Sequence, residues 1–181
     1  THHLEGSRSQ PGDEDLDSVS WDAVAGRQIV VEEKMDGANA AVSFSPEGRL
    51  LLQSRGHYLT GGAREKHFDL FKRWAATHQG SLRATLEARY VMYGEWLLAK
   101  HTVFYDRLPH YFMEFDVLDL HTGEFLDTPG RRRLLGALPV VPVRVLWQDV
   151  IKSAGAARSL LGRSSFIGPR HLESLAAECS R

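Results

Sequence analysis

Short runs of alternating or β-branched apolar residues fill the first third of the chain. Ile29, Val30 and Val31 predict a strand over 28–33. Residues 40–44 alternate as a second strand and 49–54 as a third. Asp36-Gly37 is a hairpin signal, and Ser45-Pro46-Glu47-Gly48 turns the chain again. Three strands joined by short turns predict an antiparallel meander. Three glycines then mark 56–62 as a loop. From residue 64 the period lengthens. Phe68, Phe71 and Ala75 share one helical face that Leu70 and Trp74 broaden, so a helix is expected over 64–78.

Further strands are expected over 90–97 and 111–118, with a turn at 121–124. Pro129 opens a short helix over 131–138, a strand follows at 143–147, and helical patterns close the chain at 154–161 and 171–178. Trp21, Trp74 and Trp147 read as core or half-buried anchors. No internal repeat or low-complexity tract interrupts the pattern. The expectation is one α+β domain over 1–181, with antiparallel sheets, flanking helices and no clear linker.

Composition narrows the class. Hydrophobic residues make up 43% and charged residues 25% of 181, which excludes a mainly disordered chain or a coiled coil. The most apolar stretch, 134–146, is broken by Pro139, Pro142 and Arg144 and falls short of the roughly 18 residues a membrane span needs. No charged-then-apolar leader is visible, and no membrane partner is expected. Cys179 is the sole cysteine, so no intrachain disulfide or multi-cysteine zinc site can form. A reducing, cytoplasmic compartment fits that usage. Net charge of −1 argues against a generally basic nucleic-acid coat but leaves room for a local basic groove.

The cations are unevenly divided. Of 22 basic residues, 17 are Arg and only Lys34, Lys66, Lys72, Lys100 and Lys152 are Lys. Arg is the better forked phosphate ligand, whereas Lys can lose its proton and act as a nucleophile. A scarce Lys in an unusual setting therefore draws notice. Lys34 stands in Glu32-Glu33-Lys34-Met35-Asp36-Gly37-Ala38-Asn39, where a strand meets a tight turn. Gly37 can take a positive φ and admit a ligand close to the backbone. Taken alone, Lys-x-Asp-Gly fits a surface hairpin with a solvated lysine better than it fits a site.

Two more blocks follow. Tyr93-Gly94-Glu95-Trp96 ends a strand with a carboxylate able to accept a ribose hydroxyl. Tyr111-Phe112-Met113-Glu114-Phe115-Asp116-Val117-Leu118-Asp119 is expected to place Phe112, Glu114 and Asp116 on one face, with Met113, Phe115 and Val117 on the other. Phe112 is then either a base-stacking ring or plain core.

In this order the blocks resemble the covalent nucleotidyltransferases, the family of ATP-dependent polynucleotide ligases and messenger-RNA capping enzymes. Lys34-Met35-Asp36-Gly37 looks like motif I, Ser54-Arg55-Gly56 occupies the place of motif Ia, Tyr93 to Trp96 looks like motif III, and Phe112 to Asp119 looks like motif IIIa. Asn39, Ala99-Lys100-His101-Thr102 and Tyr105-Asp106-Arg107-Leu108-Pro109 tilt the match toward RNA ligases of the double-strand-sealing phage type. The resemblance covers residues 29–119.

The resemblance implies an ATP-grasp-like nucleotidyltransferase (adenylylation) domain, incomplete at its C-terminus. Lys34 would attack the α-phosphorus of ATP to form lysyl-AMP. Glu95 would hold the ribose and Phe112 would stack on adenine. The backbone at Glu33 would read the adenine edge, Arg55 the sugar–phosphate, and Asn39 the region of the leaving phosphates. Lys100 and His101 would face nucleic-acid phosphates. The cofactors implied are ATP and Mg2+; the partners are RNA with 5′-phosphate and 3′-hydroxyl ends and an end-healing kinase or phosphatase. The alternatives are a DNA ligase, a capping guanylyltransferase, or a non-catalytic nucleotide- or nucleic-acid-binding module.

The family's motif IV acid near a Glu-Gly pair and its motif V Lys pair have no counterpart here, since Lys152 alone follows Asp119. The chain therefore reads as the N-terminal portion of a longer ligase. His57 is a further candidate substrate contact. Arg131-Arg132-Arg133 reads as a solvated helix start rather than a phosphate site. No paired His spacing predicts zinc, and no Gly-x-x-x-x-Gly-Lys-Ser/Thr loop predicts a P-loop.

Overall fold

The computed structural model describes residues 3–4, 18–98 and 102–169. They divide into two compact units, one formed by the described residues up to 33 together with 144–163, the other by the described residues of 34–143 together with 164–169.

In the smaller unit β1 (Gln28–Glu32) pairs antiparallel with β9 (Val145–Val150), Ile29 opposite Asp149. A helical turn, α4 (Ala154–Arg158), follows, capped by Ser153, whose hydroxyl accepts the Ala156 N–H at 3.1 Å. Residues 3–4 and 18–19 form a short parallel pair. The expected meander is thus corrected: β1 pairs with β9 rather than with its successor. Its strand does exist, one residue shorter than predicted. Trp147 is 41% exposed, and its indole N–H donates to the Asp149 carbonyl.

The larger unit is a sheet built around β2 (Ala38–Phe44), β3 (Leu50–Ser54), β4 (His57–Tyr58), β5 (Tyr90–Trp96) and β6 (Phe112–Asp119). Its spatial order is β8, β6, β5, β2, β3, β4, with β8 (Val141–Pro142) parallel to β6. A short β7 (Glu124–Phe125) also pairs with β6. The long strands are antiparallel, as predicted.

Successive side chains alternate across this sheet. Ala40, Val42, Phe44, Met92, Trp96, Phe112 and Val117 point into one core. Helices α1 (Asp69–Thr77) and α2 (Gln79–Leu86) cover that core with Phe71, Ala75, Leu82 and Leu86, all fully buried. Each large apolar side chain so buried contributes roughly 1.5–3 kcal/mol. The predicted apolar face of α1 is correct, but residues 63–68 wind as a 3-10 turn and α2 was not foreseen. Trp96 anchors the contact, its indole N–H donating to the His67 carbonyl at 2.7 Å.

The opposite face carries a second cluster, Met35, Leu97, Met113 and Val143, joined by Tyr105, Leu108, Phe115 and Phe166. A bulge between Tyr93 and Gly94 lets Phe115 slip between two paired positions of β6. Phe115 therefore joins the second cluster while Val117 joins the main core, which corrects the strict alternation expected for this strand.

Helix α3 (Thr128–Leu135) starts at Asp127, whose carboxylate accepts the Gly130 N–H at 2.7 Å, with Pro129 in the first turn. Arg131 is not solvated as predicted: it is 3% exposed and donates to Glu114 at 2.8 Å, itself 2% exposed. The helix expected at 171–178 lies outside the described residues.

Candidate active site

Strand ends of the larger unit converge at one edge. The 34–37 turn leads into β2, the residues after Ser54 leave β3, and the 97–111 loop leaves β5; the antiparallel register brings these three together. Asn39 lies opposite Glu95, and Arg55 follows one step beyond the Ala40–Ser54 pair. Glu95 and Asn39 thus face each other across two strands, with Arg55 in the turn that follows β3.

The turn is held from two sides. The Gly37 N–H donates to Glu95 Oε1 at 2.8 Å, and the Asp36 N–H donates to the Tyr105 hydroxyl at 2.9 Å. Asp36 returns the contact: its Oδ2 accepts the backbone N–H groups of Thr102 and Val103 at 2.8 and 2.7 Å. Two consecutive amides of the Lys34 turn are therefore fixed by side chains from β5 and from the following loop. Lys34 itself is exposed.

Gly37 is glycine for a reason other than the one predicted. It does not take a positive φ. A Cβ there would sit 2.6 Å from the Trp96 carbonyl oxygen and 3.1 Å from Glu95 Cγ. Lack of a side chain is what lets the turn press against the Glu95 strand.

Burial pushes the Glu95 carboxyl up to about 7, against the downward pull of the Gly37 N–H and the Lys34 charge. Asp36 raises it further and Arg55 lowers it. Lys34, Asp36 and Arg55 are thus all within electrostatic reach of this one carboxyl.

Phe112 does not join them. It lies opposite Trp96 in the register, whereas Glu95 lies opposite Met113, so the two side chains point to opposite faces. The ring is fully buried against Phe71 and Trp74, with centroids 5.1 and 5.3 Å away. A Cβ on Gly94 would meet it at 2.5 Å. The expected adenine-stacking role is corrected: Phe112 is core. Glu33 ends the smaller unit, and its backbone N–H donates to the Arg144 carbonyl at 2.8 Å. Lys100 and His101 lie outside the described residues.

A hollow of about 540 Å³ opens at the same edge, lined by Ala38, Ser54, His57, Glu65, His67 and Phe68 among others. Ala38 pairs with Trp96 and Ser54 with Ala40, which places this hollow on the helix-covered face, away from Glu95. His57 belongs to it. Sequence reasoning also missed Tyr105, which was noticed only as part of a longer match.

The larger unit is thus an antiparallel sheet backed by helices, with a lysine turn clamped to a strand carboxylate. A family model described as RNA ligase matches residues 27–173, and the chain belongs to that family. Solved structures agree in fold. A Naegleria gruberi RNA ligase variant with ATP and Mn superposes with a TM-score of 0.57 at 18% identity, over 76% of this chain and 41% of that one. The same organism's ligase with PPi gives 0.56 at 19%, over 72% and 40%. An archaeal ATP-dependent RNA ligase gives 0.57 at 22%, over 76% and 36%. The chain spans about two fifths of the length of these proteins. No curated protein sequence matches it.

Proposed function

We propose that this chain is the adenylylation part of an ATP-dependent RNA ligase that repairs broken strands. The observation that carries the reading is the hydrogen bond from the Gly37 N–H to Glu95 Oε1, which locks the Lys34 turn to the motif III strand. In this reading Lys34 Nζ, once deprotonated, attacks the α-phosphorus of ATP. A nitrogen–phosphorus bond forms, the bond to the β-phosphate oxygen breaks, and pyrophosphate leaves. Glu95 spends Oε1 on Gly37 and has Oε2 for a ribose hydroxyl. Arg55, in the turn after β3, contacts the sugar–phosphate, and Asn39, opposite Glu95, lines the region of the leaving phosphates.

The AMP then passes to a 5′-phosphate end of RNA, and a neighbouring 3′-hydroxyl displaces it to close the strand. An end-healing kinase or phosphatase partner belongs to the same proposal, as does a reducing cytoplasmic setting. No helix among the described residues is long and apolar enough to cross a membrane.

The donor set suits a divalent ion brought in on nucleotide phosphates. Among the described residues no three His, Cys, Asp or Glu side chains are grouped to hold a metal, and Mg2+ is commonly bound by one or two carboxylates plus phosphates and water. Glu95 bonds the turn and Asp36 belongs to it, so these two carboxyls would be placed to meet such an ion. Such an ion supplies charge neutralisation at the phosphates.

The test is covalent labelling with α-labelled ATP or GTP in Mg2+, followed by peptide mapping. Label from ATP on Lys34, absent in Lys34→Ala, is the expected result. Label that survives in Lys34→Ala removes the nucleophile assignment. Label from GTP alone makes the protein a guanylyltransferase. ATP binding without label in either protein favours a non-catalytic module, and sealing of DNA nicks in preference to RNA favours a DNA ligase.

A further inference from the structure

Residues 34–37 lie between β1 and β2, so no strand ladder fixes the backbone that carries Lys34. The Lys34 side chain is exposed and ends a flexible stem, so its aim depends on the turn beneath it. That turn is held by side chains instead. Met35, next in the chain, is 4% exposed within the second cluster. Glu95 holds the Gly37 N–H, and the Tyr105 hydroxyl holds the Asp36 N–H.

The two tethers differ in what else they must do. In the ligase reading Glu95 is shared between the Gly37 N–H and a ribose hydroxyl. Tyr105 is bound into the protein on every side. Its ring packs in the same cluster as Met35. Ahead of it, the Thr102 and Val103 N–H groups donate to Asp36 Oδ2 at 2.8 and 2.7 Å, so the loop and Asp36 grip each other through backbone and side chain alike. Beyond it, the Asp106 and Arg107 N–H groups both donate to the Phe166 carbonyl at 3.1 Å, and the Gly168 N–H donates to Asp106 Oδ1 at 2.6 Å. The Phe166 ring joins that cluster too. A Cβ on Gly168 would lie 2.8 Å from Asp106 Oδ2, so this brace has no slack. A phenol fixed at its ring and along the backbone on both sides can hold a turn amide without being drawn toward substrate.

We propose that Tyr105 is a positioning residue for lysyl-AMP formation: its hydroxyl, holding the Asp36 N–H at 2.9 Å, fixes the turn that aims Lys34 at the α-phosphorus of ATP. The proposal rests on the RNA-ligase reading for the reaction and adds to it a residue that touches neither nucleotide nor RNA. The bond changes are those of that reading. The neutral Lys34 amine bonds to phosphorus, pyrophosphate leaves with the electron pair of the broken bond, and the nitrogen gives up a proton to solvent. Attack of this kind is sensitive to placement, a shift of about 1 Å costing on the order of 100-fold. Loss of the Tyr105 oxygen should therefore be felt in the rate of attack and not in ATP affinity.

The experiment compares the parent chain with Tyr105→Phe, which keeps the ring and removes only the oxygen that accepts the Asp36 N–H. Covalent labelling by α-labelled ATP in Mg2+ is followed in time over a range of ATP concentrations, and amide hydrogen exchange is read residue by residue by NMR. The maximal labelling rate should fall by about 10- to 100-fold in Tyr105→Phe. The half-saturating ATP concentration and the melting temperature should stay close to the parent's. Exchange at the Asp36 amide should quicken by about 2- to 10-fold, with the β2 amides unaltered. An unchanged maximal rate, a loss confined to ATP affinity, or unchanged exchange at Asp36 would each overturn the positioning role. A melting temperature lowered enough to account for the lost rate would overturn it as well, since Tyr105 would then be structural. A parent that takes no label from ATP would instead remove the ligase reading, while exchange at Asp36, which needs no reaction, would still decide whether the Tyr105 hydroxyl holds the turn.

Discussion

The carboxyl of Glu95 accepts the backbone N–H of Gly37 at 2.8 Å, and this bond joins the Lys34 turn to β5. It also places an ionisable group where water is scarce, which makes the site visible in a pH titration. Burial raises the Glu95 carboxyl from an ordinary value near 4.5 to about 7. Below the lower value, Glu95 is protonated in both folded and unfolded chains and does not affect stability. Between the two values only the unfolded chain sheds the proton, so stability falls as pH rises. Above about 7 both forms are ionised and the contribution is flat. Glu95→Gln keeps an acceptor for Gly37 but cannot titrate. The parent should therefore lose melting temperature between pH 4.5 and 7, and Glu95→Gln should lack that component. Superimposable profiles would place the raised carboxyl elsewhere. Lysyl-AMP formation should fall in the variant at every pH, because an amide offers the ribose a weaker acceptor.

Phe112→Ala separates core from site. The ring fills a space bounded by Phe71, Trp74 and Trp96, so truncation should cost about 3–5 kcal/mol of stability. ATP affinity, measured well below the new melting point, should change little. A loss of nucleotide binding with stability preserved would return the ring to the nucleotide.

What could be read in advance divides along a physical line. Local signals were legible: the β-branched run at 29–31, the helical face of Phe68, Phe71 and Ala75, and the ordered blocks around Lys34, Glu95 and Phe112. Cross-strand register was not. Whether Phe112 shares a face with Glu95 depends on which residue of β6 meets Trp96, and a one-residue slip reverses the answer. The same limit hid the pairing of Gln28–Glu32 with Val145–Val150, partners more than a hundred positions apart. Gly37 was recognised, but for turn flexibility rather than for its contact with Trp96 and Glu95. The Arg131–Glu114 pair escaped because a charged triplet gives no hint that one member turns inward.

Gly37→Ala tests the close approach of the turn. The added methyl would lie 2.6 Å from a backbone oxygen of β5, which cannot swing aside as a side-chain tip can. The turn must retreat, and overpacking of this kind costs typically 1–3 kcal/mol. Retreat also lengthens the bond to Glu95. Self-adenylylation should then fall by more than the modest loss of melting temperature suggests. A variant with parental labelling would show that the Lys34 turn does not need its hold on Glu95.

The buried pair of Arg131 and Glu114 makes a last prediction, in which two changes do less harm than one. Both groups are almost fully enclosed, and their charges are 2.8 Å apart. Arg131→Met removes one charge and leaves Glu114 facing an apolar surround, which typically costs about 3–5 kcal/mol. Glu114→Leu combined with Arg131→Met removes both charges and leaves a surface that can pack. The double variant should therefore melt higher than Arg131→Met alone, because the pair's mutual attraction chiefly offsets its own desolvation. Chemical denaturation of the parent, both single variants and the double variant closes the cycle. A double variant less stable than either single one would mean that the pair contributes more than its burial costs, and that α3 is fastened to β6 chiefly by charge.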